Sequence, residues 1–138
     1  MDITPAQLQQ LVTAARAARE KAYAPYSNFA VGAALLDEAG RIHAGCNIEN
    51  AAYPQGLCAE ASALAHLVLA GGRQVLAVVV AGDASLPVTP CGGCRQKLRE
   101  FAADATPVWS VDGQAVRERY TLGQLLPASF GPQHLPSP

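Results

Sequence analysis

The chain has few of the features that direct a protein to a membrane, to nucleic acid or out of the cell. Its 138 residues contain no apolar stretch of the roughly eighteen residues that a bilayer span needs. The opening residues do not resemble a secretory signal, so we expect a cytoplasmic protein without a membrane partner. Only 15% of the residues are charged, the formal net charge is -1, and no basic run occurs. We therefore expect no nucleic-acid partner and a small, nearly neutral ligand.

Histidine and cysteine are also scarce, which limits the metal ligands that the chain can offer. None of its three histidines, at 43, 66 and 134, stands at ligand spacing to a cysteine, so we expect packed or surface side chains there. Four cysteines in a cytoplasmic protein favour metal binding over disulfides.

The remaining composition indicates one domain. Half of the residues are hydrophobic, and neither a repeat nor a change of composition marks a linker. A chain of this length can bury a single core. We expect one domain over residues 1–138, in which the proline-containing tail 131–138 is compatible with either order or flexibility.

Three cysteines and a glutamate form the most informative pattern. Cys58 and Glu60 give C-x-E, and residues 90–94 read P-C-G-G-C. This combination is typical of zinc-dependent deaminases, in which the glutamate carries protons and does not bind the metal. Three thiolates leave a tetrahedral Zn²⁺ one open position, where a water can bind and ionise near neutral pH.

The spacing of these residues agrees with a catalytic site. Cys91 and Cys94 can face the same way on a first helical turn, while Cys58 must come from a separate segment. Pro90 suits the start of a helix, and we expect both ligand segments to be helix N-termini. The positive ends of two helix dipoles would then offset the negative charge of three thiolates around one Zn²⁺.

Simpler explanations exist for the parts of this pattern. A lone C-x-x-C could be a redox pair, half of a structural zinc site or two buried thiols. A structural site would need a fourth ligand, and Cys46 is the only spare cysteine. It lies within a predicted strand, where we expect a small buried hydrophobic residue. The added C-x-E favours the catalytic site.

Hydrophobic periodicity predicts an α/β fold. Thr4 and Gln7 form the capping box of a first helix, which ends before Pro25. The helix predicted at 58–70 is apolar nearly all round, so we expect burial on most faces and contacts between subunits. Further predicted elements are strands at 29–37 and 41–48 joined by a hairpin, a strand at 75–81, a helix at 91–102, strands at 107–111 and 114–120, and a short helix at 121–126.

The chain resembles the cytidine deaminase family, in its small, homotetrameric, zinc-dependent class. The resemblance runs from residue 22 to about residue 130 and includes YSNF at 26–29, GCNIENAAY at 45–53, PCGGCRQ at 90–96 and LLP at 125–127. It implies a three-layer α/β/α fold with a mixed sheet of about five strands. It also implies hydrolytic deamination of cytidine and 2′-deoxycytidine to uridine and 2′-deoxyuridine, a reaction of pyrimidine salvage.

The resemblance also implies roles for particular residues. Cys58, Cys91 and Cys94 would hold one Zn²⁺ per subunit. Glu60 would move protons among water, the ring nitrogen and the leaving ammonia. The residues implied to contact the nucleoside are Phe29, Asn47, Glu49, Tyr53, Ala59 and Phe130.

Several of these contacts have alternatives. Asn47 and Glu49 are implied to bind ribose hydroxyls, although their strand spacing alone would make them a solvated face. Phe29 is implied to pack against the base, although alone it would be assigned to the core. Tyr53 is implied to lie near the site at a subunit boundary, or it packs in its own loop. Phe130 is implied to complete a neighbour's pocket, which would make the site depend on a homotetramer.

One position departs from the family pattern. Relatives commonly carry arginine directly after the catalytic glutamate, where this chain has Ala61. Arg95, next to Cys94, is a candidate substitute that would balance the thiolate charge, and a surface or structural role is its alternative.

Other functions share parts of the pattern. Zinc deaminases also act on nucleotides, tRNA and single-stranded DNA, but the absence of a basic patch argues against these, and a carboxylate at Glu49 would repel a phosphate. A nucleoside-antibiotic deaminase remains an alternative. So does a non-catalytic zinc module, which would need neither Glu60 nor ribose contacts.

Overall fold

The chain forms a mixed β-sheet between two layers of helices, as seen in a computed structural model that describes residues 2–136. The strands are β1 (Gly32–Asp37), β2 (Ile42–Cys46), β3 (Val75–Ala81), β4 (Pro107–Val111) and β5 (Val116–Thr121). The helices are α1 (Pro5–Arg19), α2 (Ala59–Leu69), α3 (Gly92–Arg99) and α4 (Leu122–Leu125), with 3₁₀ turns at Tyr53–Gln55 and Pro132–His134.

The five strands lie in the order β2-β1-β3-β4-β5 within the described residues. Only β3 and β4 are parallel, and α3 connects them in a βαβ unit, while the other neighbouring pairs are antiparallel. A parallel pair needs such a crossover, whereas β1 and β2 are joined by a tight turn.

Each face of the sheet is covered by helices. Side chains alternate along a strand, so Ala34 and Val79 pack on the side of α1, while Leu35 and Val78 pack on the side of α2 and α3. Burial of each leucine or valine contributes about 1.5 to 3 kcal/mol relative to exposure. The three layers match the fold class predicted from the sequence.

Gly45 lets α2 approach the sheet closely. A Cβ atom added at this position would lie 2.6 Å from the carbonyl oxygen of Ala59, which is far inside van der Waals contact. Because Ala59 opens α2, the missing side chain at Gly45 sets the place of the helix end that bears Cys58 and Glu60.

The strand ends near the predicted site differ from the sequence prediction. Strand β1 begins at Gly32 and not at residue 29, because Asn28 turns the chain with a φ of 58°. Strand β2 ends at Cys46 and not at residue 48, and Ile48 instead forms isolated bridges. Cys46 therefore lies in a strand as predicted, but at the end of that strand, and it is half-buried rather than buried.

Two other predicted elements are shorter in the structure. Helix α3 ends at Arg99 rather than 102, and the carbonyl of Phe101 accepts the backbone N–H of Val75 at 2.8 Å. Strand β5 starts at Val116 rather than 114, because Asp112 accepts the backbone N–H groups of residues 114 and 115 in a turn.

A buried carboxylate fixes the hairpin between β1 and β2. Asp37 accepts the Nε of Arg41 at 2.7 Å and lies 2.8 Å from Nε2 of His43. Arg41 also donates through Nη1 to the carbonyl of Ala70 at the end of α2. Burial alone would raise the pKa of Asp37, but the hydrogen bonds from His43 and Arg41 hold it well below its usual range.

Helix α2 has an exposed outer face in this single chain, whereas the sequence prediction of burial on most faces included contacts between subunits. Ala63 and Leu67 pack against the sheet, but Ala65 is exposed and Leu69 is 87% exposed. The apolar residues of its outer face therefore lie open to contact. Among residues 2–136, no helix has both the length and the apolar character needed to cross a membrane.

Candidate active site

Two helix N-termini bring the three predicted ligand thiols together. Cys58 is the N-cap residue of α2, and Cys91 is the N-cap residue of α3, with Cys94 in the first turn. The three sulfur atoms all lie within 4.8 Å of one another. The expectation that both ligand segments open helices is confirmed, and both helix dipoles present their positive ends at the thiols.

The donor set fits zinc. Zn–S bonds of about 2.3 Å in a tetrahedral site place the sulfurs about 3.8 Å apart, and the sulfurs of Cys58 and Cys91 are 3.8 Å apart. Within residues 2–136, neither Cys46 nor a histidine joins this cluster. Three ligands without a fourth protein donor are typical of a catalytic rather than a structural zinc site.

The thiols strongly influence one another's ionisation. Burial raises the pKa of Cys94 and of Cys58, and the nearby charge of Glu60 raises both further. Burial opposes ionisation of Cys91 as well, but the backbone N–H of Cys94 stabilises its thiolate, and the pKa of Cys91 is lowered. Three thiolates beside a carboxylate repel one another, so a divalent cation is needed to hold all of them ionised.

Glu60 lies beside the thiols on the first turn of α2. Its side chain is buried, with 5% of the residue exposed, and burial raises its pKa. It is not part of the group of mutually close ligand atoms. A buried carboxyl group near a metal site, with its pKa moved toward neutrality, can accept and return protons.

Ala59 lies between the two functional residues of this turn. The side chain is fully buried and packs in the core, so the predicted contact with a nucleoside can involve only its backbone. As the first residue of α2, Ala59 has an N–H group in the turn that lacks intrahelical partners.

Asn47 holds the segment that carries Phe29. Its Nδ2 donates to the carbonyl of Phe29 at 2.8 Å, and its Oδ1 accepts the N–H of Val31 at 2.9 Å. The side chain amide thus takes the place of a strand partner for residues that do not continue β1. Phe29 is left 38% exposed.

Glu49 is bound by the loop that precedes Phe29. Its Oε1 accepts the backbone N–H groups of Tyr26 and Ser27 at 2.9 and 3.0 Å, and the Ser27 hydroxyl donates to Oε2. The hydrogen bond from the Ser27 hydroxyl is the main cause of a lowered pKa of Glu49. Ser27 Oγ also accepts the N–H of Phe29 at 3.0 Å. One hydrogen-bonded loop therefore joins Phe29, Asn47 and Glu49, which excludes a simple solvated strand face.

Tyr53 shares a cavity with Glu49. The ring of Tyr53 is 5.7 Å from that of Tyr26, and the residue is 75% exposed. The cavity has a volume of about 290 Å³. Its lining residues are Tyr26, Ser27, Glu49, Asn50, Tyr53 and Gly56.

Phe130 lies in a different part of the structure. It follows α4, its ring stacks on His134 at 5.1 Å between centroids, and its carbonyl accepts Nε2 of Gln96 on α3. Within the described residues it does not line the cavity beside Tyr53.

The predicted tail 131–138 includes a 3₁₀ turn at 132–134, and its last two residues lie outside the described part of the chain.

Arg95 donates hydrogen bonds to residues that precede α3 in the chain and to one residue that follows it. Its Nε donates to the carbonyl of Pro90 at 2.7 Å, its Nη1 to the carbonyl of Leu125 at 2.7 Å, and its Nη2 to Thr89 Oγ1 at 2.9 Å. All three nitrogens are thus used in structural contacts. This agrees with a structural role for Arg95, the alternative to balancing the thiolate charge. The loop before Cys91 is held by this guanidinium.

Sequence reasoning gave no role to Ser27, although it lies in one of the stretches that carry the family resemblance. The one available signal was the hydroxyl within YSNF, two residues before Phe29. Its partner Glu49 is 22 residues away, and sequence spacing alone does not predict such a pair.

Comparisons with known proteins decide the family. Residues 5–110 match the family model described as the cytidine and deoxycytidylate deaminase zinc-binding region. The chain belongs to this family. A cytidine deaminase of Sporosarcina psychrophila is 44% identical over 128 residues, which cover 93% of this chain and 94% of the relative. A cytidine deaminase of Mycobacterium tuberculosis strain H37Rv is 43% identical over 115 residues, or 83% of either chain.

A solved structure gives the same result for the fold. The crystal structure of cytidine deaminase from Burkholderia pseudomallei superposes with a TM-score of 0.83 at 44% identity, covering 93% of this chain and 100% of that one. Family membership, the α/β fold and the zinc-binding character of the three-cysteine cluster are therefore confirmed.

Proposed function

We propose that this protein hydrolytically deaminates cytidine and 2′-deoxycytidine, giving uridine or 2′-deoxyuridine and ammonia, as a cytoplasmic step of pyrimidine salvage. The observation that carries the proposal is the convergence of three thiols within 4.8 Å at two helix N-termini beside the buried carboxyl group of Glu60. Membership of the deaminase family supports the reaction type.

The mechanism assigns proton transfer to Glu60. Cys58, Cys91 and Cys94 would hold one Zn²⁺, which when bound supplies Lewis-acid activation of water near neutral pH. Glu60 accepts a proton from the attacking water and delivers it to N3 of the pyrimidine while the C4–O bond forms. It then carries the second proton of that water to the exocyclic amino group, the C4–N bond breaks, and ammonia leaves.

The substrate would be a nucleoside rather than a nucleotide. Because the pKa of Glu49 is lowered, this side chain is ionised at neutral pH and would repel a phosphate. A carboxylate can accept about four hydrogen bonds, and three are supplied by Tyr26 and Ser27. A ribose hydroxyl can therefore donate a further bond to Glu49. Asn47 has one N–H and one lone pair left for the sugar.

Three further residues would complete the pocket. The exposed ring of Phe29 would pack against the base, and the backbone N–H of Ala59 would bind the base edge at the start of α2. Tyr53 would border the sugar side through the cavity that it shares with Glu49.

The protein would act as a homotetramer with its sites near subunit boundaries. An open apolar surface runs over the outer face of α2, and an apolar patch of this kind commonly marks a protein interface. It includes Ala61, Leu64, Ala65, Val68, Leu69 and Phe101. The exposed rings of Tyr53 and Phe130 would contribute to neighbouring sites. A fully active monomer in sedimentation at assay concentration would contradict this assembly.

A substrate panel tests the proposed function. Zinc-loaded protein is incubated with cytidine, 2′-deoxycytidine, cytidine 5′-monophosphate and a cytosine nucleoside antibiotic, and loss of the cytosine ultraviolet absorbance is followed. We expect turnover of the first two and little of the monophosphate. Turnover of the antibiotic alone would favour the antibiotic-type deaminase, and no turnover of any compound with zinc present would favour a non-catalytic zinc module.

A further inference from the structure

Helix α3 carries two of the metal ligands at its N-terminal end. Its side chains also contact the C-terminal segment (residues 125–134) along its length. Gln96 Nε2 donates to the carbonyl of Phe130 at 3.0 Å. Arg99 donates through Nε to Ser129 Oγ at 2.8 Å and through Nη2 to Gln133 Oε1 at 2.9 Å. Two side chains of one helix thus hold the backbone at Phe130 and the side chains on either side of it.

The C-terminal segment is closely fitted to these side chains. Gly131 is buried, and a Cβ atom there would lie 2.6 Å from Cζ of Arg99. The N–H of Gly131 donates to Nδ1 of His134 at 3.1 Å, and the His134 ring stacks on Phe130 at an angle of 19°. The backbone around Phe130 is therefore fixed, although the residue remains 57% exposed.

An exposed aromatic ring on a fixed backbone is suited to binding. If the segment were free, ordering it when a ligand binds would reduce the binding energy. Gln96 and Arg99 remove part of this cost before a ligand arrives. Both side chains lie on helix α3, so the ring is tied to a regular element of the fold and not to a free loop.

We propose that Gln96 and Arg99 are positioning residues for nucleoside binding, acting through the exposed ring of Phe130. The inference rests on the proposed function, in which Phe130 contributes to a nucleoside pocket. Because the ring would touch the substrate away from the reacting atoms, its placement affects the substrate and the transition state alike. Loss of either side chain should therefore change KM and leave kcat nearly unaltered.

The test uses variants that keep side chain length without the donors. We expect Gln96→Met and Arg99→Met each to raise the KM for cytidine about three- to tenfold. We expect kcat to stay within about twofold and zinc per chain to be unchanged. Arg99→Lys, which keeps one donor, should recover part of the loss. Glu100→Gln changes an exposed neighbour at the end of α3 and should match the wild type.

A Phe130→Ala variant separates this inference from the proposed function on which it rests. We expect it to raise KM, and we expect Gln96→Met to add little in that background, because both changes act through one ring. Amide exchange at 129–134 should be faster in Gln96→Met and Arg99→Met than in Glu100→Gln.

Three results would overturn the inference. If Phe130→Ala raises KM while Gln96→Met and Arg99→Met do not, the positioning role is wrong and the role of Phe130 stands. If Phe130→Ala leaves KM unchanged while cytidine is still deaminated, the pocket role of Phe130 fails and the inference fails with it. A loss of zinc in both methionine variants would show that the side chains stabilise α3 as a whole.

Discussion

At the scale of single residues, burial of Glu60 and hydrogen bonds to Glu49 shift the pKa values of these two carboxyl groups in opposite directions. Glu60 is buried, and its pKa is raised, which suits a group that accepts and returns protons. Glu49 is held by Tyr26 and Ser27, and its pKa is lowered, which suits a permanent acceptor for sugar hydroxyls. In the proposed mechanism, a glutamate would therefore serve proton transfer at position 60 and substrate binding at position 49.

The contact between Ser27 and Glu49 gives a prediction at this scale. Ser27→Ala removes a donor to Glu49 and the acceptor of the Phe29 N–H. We expect KM for cytidine and 2′-deoxycytidine to rise about three- to tenfold with little change in kcat, measured by steady-state kinetics. Ser85→Ala, in an exposed loop, is the matched control. A wild-type KM in Ser27→Ala would show that this hydroxyl does not orient the sugar site.

At the scale of elements, the starts of the helices were easier to predict than the ends of the strands. Pro90 and the apolar pattern after Cys58 indicated two helix N-termini, and both are found. The start of β1 was not predictable, because Phe29 and Val31 bond to the side chain of Asn47, whereas strand patterns assume backbone partners. Local patterns do not contain such contacts between distant residues.

The same limit applies to Arg95. Its position next to Cys94 suggested that it balances the negative charge of the thiolates. In the structure it instead donates a hydrogen bond to the carbonyl of Leu125, 30 residues away. The contact with Leu125 makes a link between α3 and α4, which no spacing rule indicates. The structure shows a different source of stabilisation, because the backbone N–H of Cys94 lowers the pKa of Cys91 and the positive ends of two helix dipoles face the thiols.

Arg95 supports a prediction about metal retention. Arg95→Met removes the bonds to Pro90 and Thr89, so the loop before Cys91 should move more. Loss of groups that orient metal ligands commonly lowers affinity at least tenfold, and we expect about tenfold faster zinc transfer to a chelator. Arg99→Met, on the same helix, should retain zinc like the wild type. Equal rates in the two variants would contradict the role assigned to Arg95.

At the scale of the whole molecule, two features show what the sequence could and could not predict. The apolar periodicity predicted an α/β fold, and the family resemblance implied its three layers. The helix at 58–70 is apolar nearly all round, and that pattern cannot distinguish burial within the chain from burial by a second copy. In the structure Leu69 and Ala65 are exposed, so the single chain does not bury every face of this helix.

Asp37 links the hairpin to α2 and makes the stability of the molecule depend on pH. The pKa of Asp37 is lowered on folding, so its contribution is complete above its unfolded pKa and is lost as the pH falls toward the folded value. We expect Asp37→Asn to lower the free energy of unfolding at pH 7 by about 1.5 to 3 kcal/mol, measured in urea. The deficit should shrink below about pH 4.

The exposed Asp104 provides the control for this change. Asp104→Asn should unfold like the wild type at both pH values. A deficit in Asp37→Asn that stays constant between pH 7 and pH 3 would show that its ionisation does not stabilise the fold.

The proton-transfer role of Glu60 is tested most directly by comparing wild-type protein with Glu60→Gln, both loaded with zinc. Zinc per chain is measured first, and ammonia released from cytidine is then followed at neutral pH. We expect equal zinc in both proteins and a loss of turnover of at least about a hundredfold in Glu60→Gln, because the amide cannot carry the two protons. Near-normal ammonia release by zinc-loaded Glu60→Gln would contradict the proton-transfer role of Glu60 and the mechanism built on it.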